Sequence, residues 1–317
     1  MKTVTITEND AGQRLDRFLQ KAFRNLPVSM MYKYIRQKDI KLNGKRCAIH
    51  TRLAAGDLLV LYVKDEFLTD TPWQLDFLYA GTALDIVYED RHIMILNKPA
   101  GLLVHPDDQE FRDTLITRIH RRLYERGDYD PHADTGFVPS LVNRLDRNTA
   151  GLVMAAKTAA ALRILNEKLR RREIEKYYLC AVDGVPAVKE ATLEGYLDKN
   201  ERQNRVYVTA GQQPNARKIV TRYRVLEESA GRSLLEIQLI TGRTHQIRAH
   251  MAAVGHPLLG DGKYGSNARN REAGLRRQAL CSYKLRFAFT APAEELEYLN
   301  GKTFELDMAA WKKEVAM

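Results

Sequence analysis

Residues 140–158, SLVNRLDRNTAGLVMAAKT, read as two apolar strands on either side of a polar loop. The loop carries Asn143, Arg144, Asp146, Arg147, Asn148 and Thr149. One carboxylate among guanidiniums is favoured in its charged form. An ionised and positioned Asp can serve as nucleophile or base. The arginines can meet phosphates or fill a gap in a base stack. Taken alone, such a loop is more often a turn capped by its Asp, with Arg–Asp pairs on the surface.

Two further stretches carry unusual polar groups. In LNKPAGLLVHP (96–106) a strand runs into Lys98-Pro99, and Gly101 permits a tight turn. By itself it reads as an ordinary strand–turn–strand connection. In LITGRTHQIRAHMAAVGHPLLGDGKYG (239–265), Thr241-Gly242 ends a strand and Thr244 is placed to cap a helix. Arg243, His245, Gln246, Arg248 and His250 crowd the start of that helix. His245, His250 and His256 invite a metal reading. However, there is no HExxH pattern, and no acid lies at helical spacing to complete a site, so hydrogen-bonding histidines are expected and metal none. Gly255, Gly260, Gly262 and Gly265 make a turn-rich exit without a GxxxxGK[ST] nucleotide loop.

Around these stretches, strands are expected at 152–157, 177–184, 205–209, 219–228, 233–241 and 282–289, with two more at DIVYED and HIMILNKP from residue 85 onward. Helices are expected at 113–126, 158–172 and 244–254. The helices are not spaced as repeated βαβ crossovers. The expected fold class is α+β, a mixed and mainly antiparallel sheet with flanking helices.

The first 65 residues differ from the rest. Leu15, Phe18, Leu19 and Phe23 lie at helical spacing over 13–24. A second helix is expected over 29–37, capped by Ser29 after Pro27. KDIKLNGKR then reads as a strand entering an Asn43-Gly44 turn, and LLVLYV (58–63) as a closing strand. This segment holds 13 basic and 6 acidic residues, a net +7, whereas the other 252 residues hold only +3 of the total +10. A compact basic unit on a nearly neutral body suits docking to a polyanion. Tyr32 and Tyr34 are read as packing residues rather than base-stacking groups. The expected organisation is a small α+β unit over 1–65, a linker over 66–83 and a larger domain over 84–317.

Hydrophobic residues at 44% and charged residues at 28% describe a soluble folded chain. No apolar run approaches the roughly 18 residues needed to span a bilayer, and MKTVTITEND lacks a signal-peptide core. A cytoplasmic protein is expected. Cys47, Cys180 and Cys281 are far apart and form no CxxC pair, so free thiols are expected. No heptad or extra apolar face is evident, which points to a monomer.

In their order, the three motif stretches resemble the RluA family of pseudouridine synthases. That family carries a lysine-proline-glycine strand, an HRLDxxTSG loop, and a TGRxHQxRxH helix followed by GHPxxGDxxYG. The resemblance covers about residues 85–290. NLPVSMMYKYIRQKDIKLNGKR (25–46) and LAAGD (53–57) resemble an S4 RNA-binding domain. The resemblance implies a pseudouridine synthase fold with Asp146 as catalytic aspartate. It implies Arg144 as the group entering the space left by a flipped base. Arg248 would be the arginine paired with Asp146. Lys176-Tyr177-Tyr178 matches a Lys-x-Tyr strand, making Tyr178 the tyrosine packed on the base. Asn143, Lys98, Arg147, Arg243, His245 and Gln246 lie in the matching motifs and are expected around the substrate. Two departures are Asn143 for the usual His, and Thr149-Ala150-Gly151 for the usual Thr-Ser-Gly.

The implied reaction turns uridine into pseudouridine in structured RNA, large-subunit ribosomal RNA in particular, without a cofactor. Transfer RNA is the alternative substrate. A non-catalytic RNA-binding or ribosome-assembly factor would be expected to have lost the Asp–Arg–Tyr set, which is present here. A metal-dependent hydrolase using the histidines is the remaining rival.

Overall fold

The structure, a computed structural model, describes residues 1–23, 25–68, 75–131, 137–200, 205–211, 214–272 and 274–315. Its first sheet comprises β1 (Lys2–Thr5), β2 (Ile40–Leu42), β3 (Lys45–Arg46) and β4 (Leu58–Leu61), in the order β1-β4-β2-β3. Helices α1 (Leu15–Ala22) and α2 (Val28–Gln37) pack on it. Leu15, Phe18 and Leu19 of α1 share one apolar cluster with Met31 and Ile35 of α2 and Leu59 and Leu61 of β4. The 3.6-residue spacing read along the sequence is therefore the buried face of α1.

Asn43 and Gly44 join β2 to β3 at φ 50° and 73°. Both are left-handed, as a two-residue hairpin requires. The Asn43 amide also reaches Asp57 Oδ1 at 2.7 Å and accepts from Leu58 N at 2.8 Å. Three local expectations differ. Pro27, not Ser29, holds the N-cap of α2, because its fixed φ suits the position before the first turn. Strand β1, only four residues with little apolar pattern, was not anticipated and is recruited by pairing with β4. Tyr34 is buried in the cluster, whereas Tyr32 is exposed.

The larger sheet runs through β5 (Ile86–Glu89), β6 (Ile93–Lys98), β7 (Ser140–Leu141), β8 (Ala150–Ala156), β9 (Ile174–Asp183), β10 (Glu190–Asn200), β11 (Arg205–Thr209), β12 (Arg217–Ser229), β13 (Arg232–Leu239), β14 (Leu280–Phe287) and β15 (Thr303–Glu305). Its order is β11-β10-β12-β13-β9-β14-β8-β6-β5, with β15 on β14 and β7 on β8. All pairs are antiparallel except β14 with β8. The fold is α+β with a mixed, mainly antiparallel sheet. The remaining helices are α3 (Asp65–Leu68), α4 (Leu115–Glu125), α5 (Ala159–Arg170), α6 (Gln246–Ala253), α7 (Asn267–Glu272) and α8 (Ala309–Glu314). Among the described residues, no helix is long and apolar enough to cross a membrane.

Strand β8 shows why its sequence is apolar throughout. Val153 and Ala155 face one core, together with Leu115, Ile119 and Leu123 of α4 and Ile247 and Met251 of α6. Leu152, Met154 and Ala156 face the other, with Ala161, Ile164 and Leu165 of α5. Alternating side chains are thus buried on both sides of a central strand. Strand β10, EATLEGYLDKN, was not anticipated, because it is polar and mostly exposed. Pairing with β11 and β12 places it, not an apolar face of its own. Part of the expected linker is packed structure. Asp76–Tyr79 form a 3-10 turn whose Phe77 lies against the rings of His120, Tyr124 and Tyr129. Residues 69–74 of that linker lie outside the described residues. The three cysteines are free thiols, with Cys180 and Cys281 buried and Cys47 partly so.

Gly151 sits where β8 meets β14, at φ 110°, and an added Cβ would lie 2.1 Å from the Ser282 carbonyl oxygen. Gly151→Ala should therefore force these strands apart and cost about 3 kcal/mol or more. Urea unfolding checks this. Gly44→Ala, at an open turn, should cost only about 1 kcal/mol.

Candidate active site

The polar loop after β7 is held by side chains that replace backbone partners. Asn143 continues the ladder to β8, accepting from Met154 N at 2.8 Å and donating to Leu152 O at 3.3 Å. At the far end, Gln278 Nε2 donates to buried Thr149 Oγ1 at 3.2 Å. In the middle, Lys98 Nζ donates to Arg147 O at 3.0 Å, and to Pro99 O and Leu102 O at 2.9 and 2.8 Å. Gly101 N also donates to Arg147 O, at 2.8 Å. This fastening corrects the expectation for Lys98. Its side chain is fully buried, its three protons are committed to carbonyls, and it has no face on the cleft. Burial brings its pKa down to about 8.

So held, the loop presents Asp146 to the start of α6. Arg248 Nη1 donates to Asp146 Oδ2 at 2.8 Å. The same guanidinium is gripped from behind by Asp261, Nε to Oδ2 at 2.7 Å and Nη2 to Oδ1 at 3.0 Å. Asp261 is wholly buried. Its Oδ1 also accepts from Lys263 N and Tyr264 N at 2.8 and 3.1 Å. Burial by itself would lower the Arg248 pKa, but Asp261 and then Asp146 outweigh it, so the guanidinium is held charged. Burial likewise would raise the Asp261 carboxyl, yet Arg248 and the two backbone N–H groups keep it below its ordinary value. Among the described residues, Asp146 Oδ1 accepts no hydrogen bond, and about a quarter of the Asp146 side chain is exposed.

His245 adds a second neighbour, its Nε2 lying 3.8 Å from Asp146 Oδ2. It stands at φ 55° at the N-cap of α6, so Thr244 does not cap that helix as expected. The Tyr264 hydroxyl accepts from Val206 N at 3.0 Å and lies 3.1 Å from His245 Nδ1. Donation of that hydroxyl to Nδ1 leaves the remaining ring proton on Nε2, facing Asp146. Burial lowers the His245 pKa more than Asp146 raises it, which keeps the imidazole neutral.

Asp146, His245 and Arg248 line a cleft of about 630 Å³, within the range of small-molecule sites. Tyr178 of β9 is buried in its wall. Burial first and the Asp146 charge second push its phenol well above the ordinary range, so it stays protonated. Arg144, Arg147 and Arg243 are exposed lining residues, and Arg147 Nε donates to Gly101 O at 3.2 Å. Gln246, expected to meet the substrate, lines the cleft but is buried. Its amide takes Thr241 Oγ1 and Arg243 N and gives to Val220 O and Thr221 Oγ1. His250 and His256 bond to Thr221 Oγ1 and Asp183 O, each at 3.0 Å. Among the described residues, no group of three His, Cys, Asp or Glu converges to hold a metal.

Sequence reasoning missed Asp261, Tyr264 and His105. The first two lie in GDGKYG, read as a turn-rich exit and as part of the GHPxxGDxxYG pattern, without a role for either residue. Their fixed places in that pattern were the available signal. His105 lines the cleft, its pKa lowered by burial and by Arg144.

Residues 92–253 match the family described as RNA pseudouridylate synthase. The chain is 32% identical over 306 residues to ribosomal large subunit pseudouridine synthase C of Vibrio cholerae, covering 93% of this chain and 91% of that protein. Its namesake in Escherichia coli is 32% identical over 314 residues, at the same coverages. A solved structure, human RNA pseudouridylate synthase domain containing 1, superposes with a TM-score of 0.54 at 23% identity, over 74% of this chain and 95% of that one. The last likeness concerns the fold alone.

Removing one member of a buried ion pair leaves the other uncompensated, so Asp261→Asn should cost about 3 kcal/mol at neutral pH. A depressed carboxyl contributes stability above its unfolded value and loses it as pH falls through the folded one. In urea titrations the gap between wild type and variant should stay level down to about pH 5 and close below 3.8, the ordinary value of the group.

Proposed function

This chain belongs to the RNA pseudouridylate synthase family, and from that premise we propose that Asp146 isomerises a uridine of large-subunit ribosomal RNA, swung out of its stack into the cleft. The observation that carries the reading is the 2.8 Å contact of Asp146 with Arg248 in a cleft walled by Tyr178. The reaction breaks the N1–C1′ bond, turns the uracil and joins C5 to C1′. N1 ends with a proton and C5 loses one. Substrate and product are isomers, so no electrons are exchanged and no cofactor is called for.

Asp146 begins the reaction either by attacking C1′ or by taking the 2′ proton. In both routes it must be ionised and aimed. Arg248 supports both requirements by fixing Oδ2 and leaving Oδ1 unbonded. Tyr178 packs on the loose base, and its hydroxyl relays the proton leaving C5. Flipping the nucleotide costs a few kcal/mol, which Arg144 offsets by entering the vacated stack. Arg147, Arg243 and His245 complete the binding surface.

Two observations favour ribosomal RNA. Both bacterial relatives are named for the ribosomal large subunit, and residues 1–65 carry the basic excess. We assign residues 1–65 to an S4-like RNA-binding domain, joined through 66–83 to the catalytic domain at 84–317. The protein works in the cytoplasm, where that RNA is assembled. We read it as a monomer, on the lack of a heptad pattern or extra apolar face in the sequence.

Asp146→Asn should lower tritium release from C5-labelled uridine in ribosomal RNA by at least about 10³-fold, with RNA affinity kept within a few-fold. Retained turnover would sink the assignment. Activity should persist in EDTA, and lost activity there would favour a metal site. Mapping pseudouridines in RNA from a deletion strain names the substrate; changes confined to transfer RNA would replace ribosomal RNA in this reading. Lys45→Ala with Arg46→Ala, both exposed on β3, should raise KM several-fold at physiological salt and leave kcat unchanged.

A further inference from the structure

Lys176 is the cleft cation that the reaction above does not use. It precedes Tyr178 by two residues on β9, so both side chains leave the strand on the same face. Both line the cleft. Tyr178 is buried and Lys176 only half-buried. Gly242 lies opposite: a Cβ there would stand 3.4 Å from Lys176 Nζ. The Gly242 backbone is not left-handed, so what the glycine provides here is open space beside the ammonium.

Among the described residues, Lys176 Nζ has no carboxylate and no hydrogen-bond acceptor. Two buried cations close by differ. Lys98 is saturated by three carbonyls, and Arg248 by two carboxylates. Lys98 and Lys263 both feel the charge of Asp146, whereas burial is the sole influence on Lys176, lowering its pKa. A partly desolvated charge without a partner is unfavourable in the free protein. An anion brought by the ligand compensates it. Uracil is neutral when it enters and carries charge only in passing, whereas the phosphodiester of the strand is always charged.

We propose that Lys176 binds a phosphodiester oxygen of the RNA strand in the cleft and so contributes affinity for the strand rather than bond-making. This inference rests on reading the cleft as the RNA site.

The test compares wild type, Lys176→Met and Lys176→Arg on a transcript of large-subunit ribosomal RNA. Filter binding is followed across salt concentrations, alongside tritium release and thermal unfolding without RNA. Lys176→Met should bind about tenfold more weakly near 0.15 M salt, with a slope of log affinity against log salt shallower by about one. Its kcat should stay within about twofold of wild type, and its Tm should not fall, because the substitution removes an uncompensated charge. Lys176→Arg should restore binding. Unchanged binding overturns the proposal. So does a kcat loss at unchanged affinity, which would move the contact to the uracil ring, and so does a fall in Tm, which would make the lysine structural. Filter binding needs no turnover. A wild type that binds but releases no tritium would sink the catalytic assignment and leave this one standing.

Discussion

One guanidinium, that of Arg248, stands between two carboxylates, and the organisation of the cleft depends on it. Asp261 takes two of its nitrogens from behind, and Asp146 takes the third in front. A buried ion pair gains little stability over apolar packing, because desolvation consumes most of the attraction. What it supplies is orientation. With Nε and Nη2 locked by a wholly buried Asp261, Nη1 has one direction left, and Asp146 is met there. The excess negative charge of the three groups falls on the member that is exposed to the cleft.

The sheet exists around that contact in a definite way. Asp146 lies on a loop after β7, Tyr178 on β9, Arg248 on α6 and Asp261 beyond it. These segments are as much as 115 residues apart in sequence. They meet because β8, β14 and β9 are neighbours in one sheet and α6 packs on the same core as β8 and β9. Two polar side chains do the finer placement. Lys98 gathers three carbonyls from both sides of a turn, and Asn143 extends the ladder with its amide. Each satisfies backbone groups that a loop would otherwise leave unpaired.

The cations of the cleft differ in exposure. Arg144, Arg147 and Arg243 are exposed, where water screens their charge. Lys176 is half-buried, and Arg248 is fully committed. Charge open to a ligand and charge that fixes the carboxylate are thus carried by different cations.

Much of this was legible in the sequence, for reasons that differ by element. Strand β8 and helix α1 announce themselves because burial on two faces or one stripe demands a fixed apolar period. Asn43-Gly44 announces its hairpin through its left-handed backbone. Asp146 and Arg248 stood out only within motif stretches whose order resembles a known family; by residue type alone, a surface Arg–Asp pair would have been the better reading. Strand β10 was illegible, since its partners place it and its own residues are polar. Lys98 was misjudged because a residue type does not say whether its hydrogen bonds turn inward or toward a ligand. Local chemistry along the chain determined the elements, the basic first unit and the set of reactive side chains. Which of those side chains touch was decided by the tertiary structure, because hydrogen bonds between segments 102 and 13 residues apart exist only once the sheet has brought them within about 3 Å.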